Sequence, residues 1–243
     1  MNPNLVLPFI STAIMIVFAA GVLQRWYVRR SAHFLFWGIG LSMFGIGSFA
    51  EAYLAVAPFN AVIFFMWYVF GAALNAGWIG QGTLLLLIRK PWVRILTTTL
   101  LVVGSLVVLA LWFNTPLDPS QAVSHQPVSV WYRDVLPSRE TAYVRLATPF
   151  FNIYGLVTLV GGALWSGYLF WRKRIMANRV MGNILIAVGA LVIGSASTLT
   201  RFGIGEYLYI GELLAATLMF AGFRMAGAPA PARATAPAPA QTS

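Results

Sequence analysis

Three ionisable side chains interrupt stretches of sequence that are otherwise apolar: Glu51, Arg201 and Glu212. A charge in such surroundings costs at least about 2.5–3.5 kcal/mol on membrane-insertion scales, so each of them needs a physical reason. One arginine between two carboxylates would offset part of this cost and leave one carboxylate able to titrate. The arrangement predicts a proton- or ligand-binding site. The alternative is a structural ion pair, with Glu51 neutral or reaching the membrane interface.

Polar residues also follow the stretch around residue 75. In an α-helix Asn75 shares a face with Gly71, and Gln81 lies beside that face. Such amides either line a cavity or make hydrogen bonds between helices, worth about 1 kcal/mol each. Tyr209 lies three residues before Glu212 and therefore on the same face of its helix. The candidate ligand- or proton-binding residues are Glu51, Asn75, Gln81, Arg201, Tyr209 and Glu212.

Several kinds of chemistry lack the residues that they need. The chain has no cysteine, which excludes disulfides, thiolate metal sites and a cysteine nucleophile. Lys90 and Lys173, the only lysines, flank apolar stretches, so a retinal Schiff base is excluded. His33 and His125 are not placed to hold haem or zinc. No nucleotide-binding loop or pairing of a base with a nucleophile is visible. We expect no enzymatic activity, no metal and no cofactor.

Composition then fixes the class of fold. Apolar residues make up 59% of the 243 and charged residues only 9%, and the mean hydropathy is +0.78. Soluble domains carry about 25% charged residues, so a water-soluble fold is excluded. A helix needs about 20 apolar residues to cross a bilayer. Seven stretches meet this requirement and predict an all-α, multi-pass membrane protein: 5–24, 34–57, 61–88, 95–113, 147–171, 180–201 and 206–224.

The basic residues predict the orientation. Most of the 16 lysines and arginines follow the first, third, fifth and seventh stretches, and positively charged loops stay in the cytoplasm. We therefore expect the N-terminus outside, the C-terminus inside, and a place in the inner (cytoplasmic) membrane of a cell. The net charge of +10 belongs to this topology, so we expect membrane lipids as partners and no nucleic acid.

The chain divides into a transmembrane domain, 1–226, and a Pro/Ala-rich tail, 227–243, that we expect to be disordered. The longest loop, about 114–146, is expected outside. Within it VSVWYRDV (128–135) is either a short helix in the headgroup region or an exposed loop with incidental aromatic residues.

Two further patterns concern helix packing. Ile-Gly-Ser recurs at 46–48 and 193–195, which indicates either a parallel 3+1+3 repeat of helices or a chance similarity. Small residues form one face of the second stretch and one of the sixth, so these two helices are expected to pack closely at the centre.

Four strings resemble those of multi-span bacterial membrane proteins whose activity is not known. They are GWIGQGTLLLL (77–87), GALWSGYLFWRKR (162–174), GNILIAVGALVIG (182–194) and LMFAGF (218–223). All four are helix-packing or helix-end strings. The resemblance therefore implies membrane location and a helical fold, and it brings no activity with it.

The expected function follows from the intramembrane charges. They predict a small-solute or proton-linked transporter or binding protein with an outward-facing polar cavity, whose partner is a small-molecule ligand. The alternative is a non-catalytic sensor, accessory subunit or scaffold that binds another membrane protein. An aromatic content of 14% and the absence of catalytic groups favour this alternative. A polar cavity that reaches mid-membrane distinguishes the two.

The orientation can be measured directly because the chain has no native cysteine. Single cysteines at Ser31 and Ala177 should resist a membrane-impermeant thiol reagent in intact cells. Both positions lie next to basic clusters, which are expected in the cytoplasm. A cysteine at Ser124, in the long loop, should react. The reverse pattern would invert the predicted topology.

Overall fold

The computed structural model describes residues 3–123, 126–136, 142–173, 177–204 and 207–227, and these contain helices and turns but no strand. Seven of the helices are long and apolar enough to cross a membrane, which confirms the predicted all-α fold. The spans, numbered here from first to seventh, are Pro3–Arg29, Ala32–Val56, Ala61–Leu87, Pro91–Phe113, Val144–Arg172, Ala177–Arg201 and Leu208–Ala226.

The helix boundaries have local causes. Asn60 begins the third span by accepting hydrogen bonds from the amides of Val62 and Ile63, two donors that the first turn leaves without partners. Pro91 stands in the first turn of the fourth span, where its missing N–H costs nothing. Arg30 takes a positive φ of 51° and so reverses the chain between the first and second spans. Short turns of this kind make neighbouring spans antiparallel.

Six of the spans form a ring. The first packs on the second, the second on the third, the third on the fifth, the fifth on the sixth, the sixth on the seventh, and the seventh on the first. The fourth span lies outside this ring, against the third and fifth, and presents a mostly apolar face outward. A lipid bilayer accepts such a face, because its acyl chains are as apolar as leucine.

Two names are used below for the ends of the bundle. The loop end carries residues 57–60, residues 114–123 and a short helix, Val128–Val135, which we call the loop helix. The arginine-rich end carries the turns that follow Arg29, Leu87 and Arg172. The sequence predicts the loop end to lie outside the cell.

Glycine lets the second and third spans approach backbone to backbone. A β-carbon on Gly47 would overlap the α-carbon of Gly71, and one on Gly40 would lie 2.7 Å from the backbone nitrogen of Ile79. The fifth span approaches the third in the same way, since a β-carbon on Gly155 would overlap the carbonyl group of Ala76. Small residues thus hold one side of the ring together by close van der Waals contact.

The third span changes helix type in its middle. Met66–Leu74 is a π-helix, and it lies between α-helical turns that begin at Ala61 and at Asn75. A π-helix shifts each hydrogen bond by one residue, so residues after it no longer keep the α-helical register. The polar residues Asn75 and Gln81 both lie in the α-helical part that follows, so their relative directions are those of an α-helix. Between them, Trp78 donates a hydrogen bond to Ser105 of the fourth span.

One packing prediction was wrong. The second and sixth spans do not pack closely, because they form opposite walls of a central cavity that Gly47 and Gly194 both line. The sixth span packs instead on the fifth and seventh. The 3+1+3 repeat and the orientation remain predictions, and the predicted disordered tail lies outside the described residues, apart from Gly227.

The contact between Gly47 and Gly71 gives a direct test of this packing. Gly47→Ala should destabilise the protein by about 1–3 kcal/mol, because the added methyl group forces two helices apart. Gly21→Ala is the matched control, since a β-carbon there meets no atom within 4 Å and alanine favours a helix. Thermal unfolding in detergent measures both. An equal loss for the two variants would contradict the close approach.

Candidate functional site

A cavity of about 370 Å³ lies at the centre of the ring. It begins at Tyr132 and Arg133 of the loop helix and extends to Ile79 of the third span. Ile79 lies beyond the midpoint of Ala61–Leu87, so the cavity reaches past the middle of the bundle. Its walls come from the second, third, fifth, sixth and seventh spans, and they are mainly apolar with a few polar groups, as in most small-molecule sites.

Two carboxyl groups from different spans meet in this wall. Glu51 of the second span is 3% exposed and Glu212 of the seventh is 8% exposed, and their side chains are close enough for a hydrogen bond between them. Trp67 Nε1 donates to Glu51 Oε1 at 2.7 Å. The Oε2 atoms of both glutamates receive no hydrogen bond from the described residues. Two carboxylates in contact repel each other strongly, so the pair favours a shared proton or a cation.

Aromatic side chains enclose the pair from the loop end. Trp67 and Tyr68 belong to the π-helical segment, and Tyr132 belongs to the loop helix; all three line the cavity. The rings of Trp67 and Tyr132 meet edge to face, with centroids 5.2 Å apart. Trp131, which also belongs to the loop helix, stacks on Phe64 of the third span with ring centroids 5.8 Å apart. These contacts form one aromatic cluster that joins the loop helix to the third span.

The loop helix is thus part of the bundle. Trp131 is only 3% exposed, so the interpretation of this segment as a loop with incidental aromatic residues was wrong. The amide and hydroxyl groups of Ser129 donate to the Tyr209 hydroxyl, both at 3.4 Å. Arg133 Nη2 donates to the Thr200 carbonyl at 3.2 Å. These bonds tie the loop helix to the sixth and seventh spans.

Two arginines line the cavity near the loop end. Arg133 reaches it from the loop helix, and Arg145 reaches it from the start of the fifth span while it donates to the Leu136 carbonyl at 3.0 Å. The cavity therefore has guanidinium groups near its loop end and carboxyl groups farther in.

Two asparagines satisfy the backbone where the π-helix ends. Asn75 Nδ2 donates to the Gly71 carbonyl at 2.7 Å, and Asn152 Nδ2 of the fifth span donates to the Ala72 carbonyl at 3.1 Å. Both side chains also line the cavity. A change of helix type leaves carbonyl groups without their usual donors, and in an apolar bundle each of them needs another. Asn75 therefore has a structural role here in addition to its place in the cavity wall.

Gln81 lies away from the cavity. It is fully buried, accepts a hydrogen bond from Tyr154, and donates to Thr97 at 3.1 Å and to Thr98 at 2.8 Å. This network joins the third, fourth and fifth spans. It holds the fourth span against the ring.

The structure thus brings together three of the six sequence candidates, Glu51, Asn75 and Glu212. Tyr209 is 1% exposed and supports the wall through Ser129. The side chain of Arg201 lies outside the described residues, so its predicted ion pair with the glutamates stays a prediction.

Several cavity residues escaped the sequence analysis, among them Trp67, Arg133 and Arg145. Trp67 and Arg145 belong to stretches whose polar and aromatic residues show no distinct pattern. Arg133 belongs to the loop helix, whose apolar residues are strongly one-sided. That pattern places a charged side chain on the face opposite the packed one, so it gave no signal that Arg133 lines the cavity.

Comparison of the chain with family models, with curated proteins and with solved structures finds no match. The class of protein therefore comes from the fold itself: the chain is a multi-pass membrane protein with a bundle of seven helices.

The hydrogen bond from Trp67 to Glu51 can be tested by substitution. Trp67→Phe should destabilise the protein by about 1–3 kcal/mol, because it removes a donor from a buried carboxyl oxygen. Adding Glu51→Gln should recover part of this loss, since the amide carries no charge. Trp112→Phe makes the same change of volume in the same aromatic cluster, and no rescue by Glu51→Gln is expected there. Equal behaviour of the two tryptophans in thermal unfolding would refute the role of this bond.

Proposed function

We propose that this protein binds a small solute or a proton in the central cavity and functions in its transport. The observation that carries the proposal is the contact of Glu51 with Glu212, both buried, in the wall of a cavity that reaches past the middle of the bundle. Intramembrane carboxyl groups facing a cavity commonly mark substrate or proton pathways.

The chemistry of the carboxyl pair favours a proton or a cation. Each Oε2 atom lacks a donor among the described residues, and a buried acceptor left without a hydrogen bond costs about 1–3 kcal/mol. An ammonium group has three N–H donors and could serve both oxygens at once. A single shared proton would serve them in its absence. Binding a cation and binding a proton are therefore alternatives at one site.

The surrounding rings favour the same class of ligand. Trp67, Tyr68 and Tyr132 line the cavity beside the carboxyl pair, and the faces of such rings attract cations by about 0.5–2 kcal/mol. A small ammonium compound is the ligand that these groups suit best.

A second candidate function is that of a sensor, accessory subunit or scaffold. It is favoured by a row of exposed aromatic residues on the fifth span, Trp165, Tyr168 and Trp171, which are 55%, 45% and 69% exposed. Their spacing of three residues places them near one another on the helix surface. Such a row suits a membrane-protein partner, although an interfacial aromatic belt has the same composition.

Glu212→Gln separates these functions. If the carboxyl pair binds a proton or cation, the variant should reduce proton or solute flux in vesicles at least tenfold and remain folded. The amide of the new glutamine can donate a hydrogen bond to Glu51, so the two side chains can pack together without a shared proton. The assay is a pH jump across proteoliposomes with a trapped dye, beside a melting curve of each protein.

Asp118→Asn is the matched control, since it removes a carboxylate that lies in an exposed turn. It should leave flux unchanged. Wild-type vesicles without any flux, together with a Glu212→Gln variant that changes only in thermal stability, would refute the transport proposal and leave the second candidate in place.

A further inference from the structure

A second, smaller cavity of about 80 Å³ lies between the central cavity and the arginine-rich end. Its lining includes four residues with polar side-chain atoms, Trp37, Thr83, Ser166 and Asn183. Trp37 Nε1 donates to Thr83 Oγ1 at 3.1 Å. These residues belong to the second, third, fifth and sixth spans. The same ring of helices therefore encloses both cavities.

Three side chains line both cavities: Ile79, Leu159 and Met219. They come from the third, fifth and seventh spans, and their side chains separate one cavity from the other. We call these three residues the apolar plug. Since each of them touches both spaces, the barrier at this point is only one layer of side chains thick.

The plug is seated on glycines of neighbouring spans. A β-carbon on Gly40 would lie 2.6 Å from Ile79 Cγ1, and one on Gly189 would lie 2.7 Å from Met219 Cγ. Ile79 and Met219 are 6% and 4% exposed, and Leu159 is half-buried, so two of the three plug residues are well packed in this conformation. Met219 is unbranched and has three flexible torsions, which lets it move with little change of backbone.

Polar and charged groups occur on both sides of the plug. Glu51 and Glu212 line the central cavity on one side, whereas Thr83 and Asn183 line the smaller cavity on the other. Beyond the smaller cavity, Arg25 lies over the ring of Phe223, with its guanidinium carbon 4.0 Å from the ring centroid. Polar groups therefore line the spaces on both sides of a thin apolar layer, as a path through the bundle would require.

We infer that the central cavity continues through the apolar plug into the smaller cavity and forms a translocation path from the loop end to the arginine-rich end. This inference rests on the proposed function and extends it, because a binding protein or sensor needs no second cavity. Ile79, Leu159 and Met219 are the gate, and a solute held at the carboxyl pair passes when the plug side chains move apart.

Cysteine accessibility tests the path, since the native chain has no cysteine. Ser48→Cys reports on the central cavity and Ser166→Cys on the smaller one, as each residue lines its cavity. The probe is trimethylammonioethyl methanethiosulfonate, a small cation that does not cross lipid, added to proteoliposomes on the loop-end side. The Ser31→Cys variant, on the turn at the arginine-rich end, identifies vesicles of the required orientation.

With the native plug, Ser48→Cys should react and Ser166→Cys should be protected. Combining Ser166→Cys with Leu159→Ala and Met219→Ala should raise its rate of reaction at least tenfold, because two of the three plug side chains are then truncated. Leu159→Val is a milder variant for the case in which the double change prevents folding, and it should raise the rate by a smaller factor. Val108→Ala, which truncates a buried side chain of the fourth span, should have no effect.

Two results would overturn the path. One is a Ser166→Cys that stays protected in folded plug variants while Ser48→Cys reacts, which would make the central cavity a closed binding pocket. The other is an equal increase in the reaction rate of Ser105→Cys in the same plug variants. Ser105 is a buried position between the third and fourth spans, so this result would indicate that the whole bundle has loosened. Failure of the proposed function would give a different result. Glu212→Gln would then leave proton and solute flux unchanged, whether or not Ser166→Cys reacts with the reagent.

Discussion

Glu51 and Glu212 meet inside an apolar bundle, where little water is present to solvate an ionised carboxyl group. Much of the surrounding structure serves this contact. The indole of Trp67 supplies one hydrogen bond, and the loop helix covers the pair with Tyr132. Because a membrane interior penalises every unsatisfied polar group, such a pair persists only where a cavity, a proton or a cation compensates for its burial.

The π-helical segment makes the cavity that this compensation requires. Its wider turns direct Trp67 and Tyr68 toward the carboxyl pair, and its glycine at position 71 lets the second span approach closely. The carbonyl groups that it frees are satisfied by Asn75 and Asn152. π-Helical turns are uncommon and occur often at functional sites. Here the irregular backbone lies against a cavity, where the ring shields it from lipid.

The ring of six spans places two cavities one behind the other, and one layer of apolar side chains separates them. In this conformation the proposed path is closed at the plug. Transporters commonly alternate between states that open to one side at a time. A barrier of side chains, seated against Gly40 and Gly189, needs less rearrangement than a barrier made of packed backbones. The fourth span contributes nothing to either cavity and acts as a lipid-facing support.

The sequence alone determined the seven spans, since bilayer thickness fixes the length of apolar segment that a crossing helix needs. It also singled out Glu51 and Glu212, because an ionisable group in such a segment is costly wherever the helix lies. Only the tertiary structure decided that these two meet, that Gln81 binds Thr98 outside the cavity, and that Arg133 faces inward. Helical periodicity predicts which residues share a face of one helix, but it does not predict which helix packs against that face. The π-helix at Met66–Leu74 also rotates the residues before it relative to those after it, and no residue pattern in the sequence indicates this rotation.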